Sequence, residues 1–396
     1  MQPEHQTGLE LPIPDKDSAQ HSQRVFEHIR ELIESSGGSI SFAEFMQEAL
    51  YAPGLGYYSA GARKFGAGGD FVTAPEISPV FGYVLARQCA AVLGQLDGGQ
   101  VLEPGAGSGA LAVSLLRKLE QLNALPDRYL ILEVSADLQQ RQQQRLWEEV
   151  PHLADRVTWL AELPQGFNGV IVANEVADAL PFERVVKRQG ALQQFRVGVE
   201  DGKFVWRLAA APELLQQSIR SIETHLDEPL ADGYETEISP AVSHWIADLS
   251  AAIDAGFIFL FDYGVTRREY YAPDRYQGWL RCHFRHRVHG DPLILPGIQD
   301  LTTWVDFSAV AQAAQASGLD VAGFVTQAHF MLHGGLDEEL TDFTAMPTAQ
   351  QLELSRQVKL LTLPGEMGES FKCIGLSRGD INLPPAFRMS DRTHRL

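Results

Sequence analysis

The chain has 396 residues, 45% apolar and 21% charged, a balance that suits a packed protein and excludes wholesale disorder. Acids outnumber bases 51 to 32, for a formal charge of −19, which argues against nucleic acid and anionic membrane surfaces as partners. Cys89, Cys282 and Cys373 are too dispersed for a disulfide framework or a thiolate metal site, and no apolar run approaches the ~18 residues of a membrane span.

Met1 to Gln20 is rich in Pro, Gln and acids, with one Lys and no Arg. It lacks the apolar stretch of a signal peptide and the Arg-rich character of a transit peptide, so a flexible tail on a cytoplasmic protein is expected. The folded part is expected to begin near His21. Val25, Phe26, Ile29, Leu32 and Ile33 recur at helical spacing, and Gly37-Gly38 closes that helix. Ser41 with Glu44 forms a capping box for a second helix carrying Phe42, Phe45, Met46, Ala49 and Leu50. A glycine-rich loop with Tyr57, Tyr58, Phe65 and Phe71 spans Pro53–Pro79, and ordered loops of that length usually carry function.

From about Val80 strand and helix alternate. Val101-Leu102, Tyr129–Val134, Val157–Leu160 and Gly169–Ala173 read as strands, and Ala110–Leu122 and Ala136–Trp147 as helices, the second holding the Gln-rich run Gln139–Gln144. This order predicts an α/β fold with a Rossmann-like, mostly parallel, doubly wound sheet. Arg184–Leu208 reads as hairpin strands turning at Gln189-Gly190 and Asp201-Gly202. Ser239-Pro240 starts a helix, Phe257–Phe261 is a buried strand, Arg267–Thr303 has no period, and Asp306 caps a helix. Val321–Thr326 and Phe371–Ser377 are expected to pair antiparallel at the edge of the sheet. The expected division is a tail (1–20), a helical lid region (21–79), a cofactor-binding core (80–183), a substrate-side insertion (184–305), the remainder of the core sheet (306–380) and a second tail (381–396).

The segment from Glu103 to Ala110 (EPGAGSGA) joins a strand to a helix. Glycines there serve a sharp turn and the close approach of a ligand to the backbone. Gly105, Gly107 and Ala110 also satisfy the dinucleotide fingerprint, and a turn used only for packing needs the same residues. Two acids discriminate between ligands. Glu103, two residues before the first glycine, would meet a pyrophosphate as a like charge but suits the ammonium group of S-adenosylmethionine. Glu133 ends the next strand, where an acid bonds both hydroxyls of a ribose. Glu133 fits NAD equally well; Glu103 favours S-adenosylmethionine.

With these residues, the stretches Gly69–Ser78 (GDFVTAPEIS), Glu133-Val134-Ser135 and Asn174–Pro181 (NEVADALP) resemble the MidA-type family of class I S-adenosylmethionine-dependent methyltransferases. That family includes a mitochondrial complex I assembly factor that methylates an arginine of an iron–sulfur subunit. The resemblance extends through Ile258–Gly264, Asp291-Pro292-Leu293 and Gly365–Gly368, covering about residues 25–378. It implies cofactor contacts at Glu103, Gly105, Ala106, Gly107, Gly109, Glu133 and Val134. It also implies a lid over the cofactor that includes Gly69 and Thr73, and a methyl-facing position for Asn174, Glu175 and Asp178.

Read from the residues alone, Glu175 and Asp178 lie three apart on a helix after Asn174, where two carboxylates could grip one guanidinium. The same residues also read as a plain helix cap. Asp70 and Glu76 offer further carboxylates toward a substrate, although their segment also reads as a turn capping the helix from Ser78 or Pro79. Asp262 and Tyr263 end a buried strand, either as substrate contacts or as a strand-ending turn. His283, His286 and His289 sit among arginines in a basic cluster at 281–289; the arginines disfavour a cation, so no metal is expected, and an acidic partner or cleft suits the cluster better. The expected activity is methyl transfer to an arginine of a partner protein, with no nucleic acid or membrane and with a homodimer left open. Rival readings are a small-molecule O- or N-methyltransferase, a non-catalytic assembly chaperone that binds S-adenosylmethionine, and an NAD-dependent oxidoreductase.

Overall fold

A computed structural model describes residues 11–60, 73–96 and 98–396. In chain order its strands are β1 (Ile40–Ser41), β2 (Gln100–Pro104), β3 (Tyr129–Leu132), β4 (Val157–Leu160) and β5 (Phe167–Asn174). Next come β6 (Glu183–Arg188), β7 (Ala191–Glu200), β8 (Lys203–Ala210), β9 (Glu235–Ile238) and β10 (Ile253–Val265). The remainder are β11 (Arg281–Phe284), β12 (Arg287–His289), β13 (Asp300–Thr302), β14 (Val305–Asp306), β15 (Asp320–Thr326) and β16 (Phe371–Arg378). The first helices are α1 (Lys16–Ser35), α2 (Phe42–Tyr51), α3 (Ala74–Ile77), α4 (Pro79–Leu93), α5 (Ala110–Gln121) and α6 (Ala136–Glu149). The chain divides into two compact units, each assembled from separated segments.

The larger unit comprises the described residues of 73–177, 243–266 and 305–396. Its eight-stranded sheet runs in the order β15-β16-β10-β5-β2-β3-β4, with β14 beside the end of β10. β10, β5, β2, β3 and β4 are parallel, and β16 is antiparallel to both β10 and β15. The reversed strand therefore lies one position inside the edge. β5 and β10 read as continuous apolar runs because they are buried along their length, as strands covered on both faces must be. Gly256 stands opposite Gly169 in the register. A Cβ on Gly169 would lie 1.9 Å from the Gln100 carbonyl oxygen and one on Gly256 1.8 Å from that of Gly169, so only glycine fits either place. Asp306 caps the helix Phe307–Ala316 by accepting from the Ser308 and Ala309 amides at 3.0 and 3.2 Å.

The smaller unit comprises the described residues of 11–60, 178–242 and 267–304. Its main sheet has the order β1-β7-β6-β9 with β8 on β7. Gln189-Gly190 and Asp201-Gly202 turn the two hairpins with all four residues at positive φ, as two-residue turns between twisted strands require. α1 starts at Lys16, earlier than its apolar spacing predicts, because the Asp15 side chain caps it through the Ser18 amide at 2.9 Å. The α2 capping box forms in both directions, Glu44 N to Ser41 Oγ at 3.1 Å and Ser41 N to Glu44 Oε2 at 2.7 Å. Phe42, Phe45, Phe182, Val197, Leu280 and Leu301 share this unit's core. The aperiodic stretch after Arg267 contributes the small sheet β12-β11-β13, whose hairpin turns on Arg285 and His286, both at positive φ.

Candidate active site

Four neighbouring parallel strands of the larger unit carry acids at or just beyond their carboxyl ends: Asp262 on β10, Glu175 after β5, Glu103 on β2 and Glu133 after β3. In open α/β sheets this edge is where ligands bind. Glu103 is 3% exposed, and its Oε2 accepts from the Tyr129 hydroxyl at 2.5 Å. Burial pushes its carboxyl up to about 7, with the Tyr129 bond opposing and the nearby Glu133 charge adding to the rise. An acid held like this gains most from a cation, which is what an ammonium group provides.

Gly105, Gly107 and Gly109 all take left-handed φ values of 65°, 52° and 81°, with the buried Ala106 between the first two. The turn is closed by Gly105 N to Leu132 O at 3.0 Å and Gly109 N to Ala106 O at 2.8 Å, and Gly109 is the N-cap of α5. The Glu133 carboxylate accepts from Ser135 N at 2.9 Å and from Gln142 Nε2 at 3.2 Å, while Val134 beside it is 74% exposed. Gln142 is fully buried. Its Nε2 also donates to Gly107 O at 2.9 Å, and its Oε1 accepts from Trp159 Nε1 at 2.8 Å. It thus ties the glycine turn to Glu133 and to β4. Within its Gln-rich run nothing local sets this residue apart. The available signal was its place in the stripe Leu138, Gln142, Leu146, the buried face of α6.

The chain beyond Asn174 differs from expectation. Glu175 has φ of 54° and its amide donates to Phe261 O at 2.9 Å; residues 175–180 form bends and a turn. No helix follows Asn174: Glu175 departs from right-handed helical backbone and the chain runs through bends and a turn, so neither the helix cap nor a shared helical face for Glu175 and Asp178 exists. Asn174 Nδ2 donates to Glu175 Oε1 at 3.0 Å, and the buried Asn174 Oδ1 has no hydrogen-bond partner among the described residues. Asp262 is fully buried and accepts from Ala177 N at 3.0 Å and Tyr263 N at 2.9 Å, so its carboxylate fixes the loop after β5. The half-buried Tyr263 ring meets Phe371 edge-on at 5.5 Å. Asp178 belongs to the smaller unit, where it is buried and its carbonyl accepts from Thr303 N at 3.1 Å.

Gly69 and Asp70 lie outside the described residues. Thr73 precedes α3 without a side-chain capping bond, and Ser78 caps α4 through Val80 N at 3.3 Å. Glu76, expected to face a substrate, is bonded to the glycine turn: its Oε1 accepts from Ser108 Oγ and, at 2.8 Å, from Arg145 Nη1. The basic cluster is the β11–β12 hairpin, where Arg285 pairs with Asp15. Burial, then His289 and Arg281, pushes His283 down to about 4. Among the described residues no group of three His, Cys, Asp or Glu could hold a metal, and no helix is long and apolar enough to cross a membrane.

A parallel sheet with one reversed strand, a triple-glycine turn after β2, and acids at the ends of β2 and β3 define a class I, S-adenosylmethionine-binding fold. Residues 84–325 match the family model described as "Putative S-adenosyl-L-methionine-dependent methyltransferase", and the chain belongs to that family. The mouse mitochondrial protein arginine methyltransferase NDUFAF7 is 30% identical over 386 residues, spanning 89% of this chain and 84% of that protein. Its Drosophila melanogaster homolog is 28% identical over 413 residues, 94% of this chain and 91% of that one. A crystal structure from Burkholderia thailandensis bound to S-adenosyl-homocysteine superposes with a TM-score of 0.91 at 39% identity, covering 98% of this chain and 100% of that one. The protein is an S-adenosylmethionine-dependent methyltransferase, with S-adenosylmethionine as its cofactor.

Proposed function

We propose that this enzyme methylates an arginine side chain of a partner protein. The observation that carries the reading is the row of carboxylates along β10, β5, β2 and β3, taken with the mouse and fly relatives that bear the name protein arginine methyltransferase. In this reading Glu103 holds the ammonium group, Glu133 accepts from the ribose hydroxyls, and Val134 covers the base. Gly105, Ala106, Gly107 and Gly109 admit the amino-acid arm, and Gly69 and Thr73 complete the cofactor contacts. Bound S-adenosylmethionine supplies an electrophilic methyl group on a sulfonium.

The protein's own contribution is alignment, and positioning of two reactants supplies roughly 7–11 kcal/mol of barrier reduction. A guanidinium stays protonated at neutral pH, so a carboxylate must both orient it and accept the proton released as the N–C bond forms. Glu175 takes that role, steadied by Asn174, and Asp262 keeps the loop in shape. Asp178 and Asp70 are further acidic candidates, and Tyr263 a contact. The charge of −19 favours a basic acceptor, and residues 184–305 are the candidate determinants of which acceptor is taken. A reducing cytoplasmic setting is supported by three cysteines that are buried free thiols.

The test is incubation with radiolabelled S-adenosylmethionine and a lysate of the protein's own host, followed by mass spectrometry of any labelled band. Methyl groups on arginine of a protein band support the proposal. Label confined to the small-molecule fraction overturns it.

A further inference from the structure

The stretch Gly69–Ser78 stands out in the sequence, and its described end makes a contact that the cofactor chemistry leaves unexplained. Glu76 and Arg145, 69 residues apart, meet at 2.8 Å, and both bond Ser108 Oγ, Arg145 Nη1 at 2.8 Å. Ser108 lies between the left-handed Gly107 and Gly109, and its hydroxyl also accepts from Ala110 N at 3.3 Å in the first turn of α5. Arg145 is braced by Glu149 Oε1 at 3.0 Å. Three residues earlier on the same helix, Gln142 grips the Gly107 carbonyl. A turn built on three glycines has much backbone freedom to lose, and here α6 restrains it at two adjacent residues.

We propose that Arg145 and Glu76 are positioning residues for the cofactor: their ion pair clamps Ser108, fixing the Gly105–Gly109 turn in its receiving shape and coupling cofactor affinity to docking of the Thr73–Ser78 segment. The proposal rests on reading that turn as the cofactor loop. By the same logic Glu76 acts on the loop and not on the substrate.

The experiment is calorimetry of the full-length protein with S-adenosylhomocysteine. Arg145→Ala and Glu76→Ala should each weaken binding about tenfold, and the double variant should be about as weak as either single, since both remove one clamp. Arg145→Lys, which keeps a charge for Glu76, should restore affinity to within about threefold of the unmutated protein. A purely structural role would not show that rescue. Melting curves establish that the variants fold, and Glu76→Gln replaces Glu76→Ala if the alanine lowers the transition. Single variants within about twofold of the unmutated affinity, or effects that multiply to about a hundredfold in the double, overturn the clamp. Gly107→Ala separates the two readings. If it leaves affinity unchanged, the loop itself is not the cofactor site; if it weakens binding while Arg145→Ala does not, only the clamp fails.

Discussion

Glu103→Gln tests whether one carboxylate costs stability in the empty protein and supplies affinity in the loaded one. Burial lifts this carboxyl from an ordinary value of 4.5 to about 7. The folded state thus keeps the proton to higher pH than the unfolded chain. The group's contribution is most favourable below about 4.5, declines as pH rises through the window from about 4.5 to about 7, and stays unfavourable above it. With each tenfold in the proton equilibrium worth about 1.4 kcal/mol, the charged form costs the fold on the order of 3 kcal/mol at pH 8. Glutamine carries no charge and retains an acceptor for the Tyr129 hydroxyl. The empty variant should therefore melt roughly 3–4 °C higher at pH 8, using the usual unfolding entropy per residue. Binding should move the other way. Affinity of the unmutated protein for S-adenosylhomocysteine should rise about tenfold from pH 6 to pH 8 as the acid ionises, whereas Glu103→Gln should be flat and about tenfold weaker at pH 8. Scanning fluorimetry and calorimetry at the two pH values read both effects. A variant that melts lower at pH 8 yet binds as well as the unmutated protein would refute the reasoning, because Glu103 would then be a structural acid.

Glu175→Gln should leave S-adenosylhomocysteine binding within about twofold and abolish labelling of the protein acceptor, since the lost interaction acts mainly in the transition state; labelling at the unmutated rate would reduce Glu175 to a loop residue. Gln142→Ala leaves Gly107 O and Trp159 Nε1 without their partner and should cost about 1–3 kcal/mol in denaturant titrations, together with weaker cofactor binding. Gly256→Ala forces a methyl group into the Gly169 carbonyl and should remove most soluble protein on expression; a normal yield and melting temperature would contradict the β5–β10 register.

Local chemistry made much of the fold legible. Apolar runs marked β5 and β10, Ser41 with Glu44 and Asp306 marked helix starts, and Gln-Gly and Asp-Gly marked hairpin turns, because each is decided within a few residues. The missed features depend on partners far away in the chain. Gln142 matters through Gly107, 35 residues distant, and Glu76 through Arg145. The backbone at Glu175 departs from the expected helix because a glutamate gives no sign of a left-handed conformation, fixed here by strand β10 and the Asp262 carboxylate. The β11–β13 sheet leaves no periodic signal in the sequence because its strands are three or four residues long.

The reversed strand sets the order in which the protein can be completed during synthesis. Strands β2 to β5 leave the ribosome in sequence, and β10 can join β5 when it emerges. The other side of β10 must wait for β16, the last strand made among those described, which alone bridges β10 and β15. Until residues 371–378 emerge, the nascent chain presents Phe257, Phe259 and Phe261 on a strand with an open edge, a template for pairing with other chains. Chains stopped before that strand should accumulate on chaperones or in inclusion bodies, although every proposed cofactor contact has already been made.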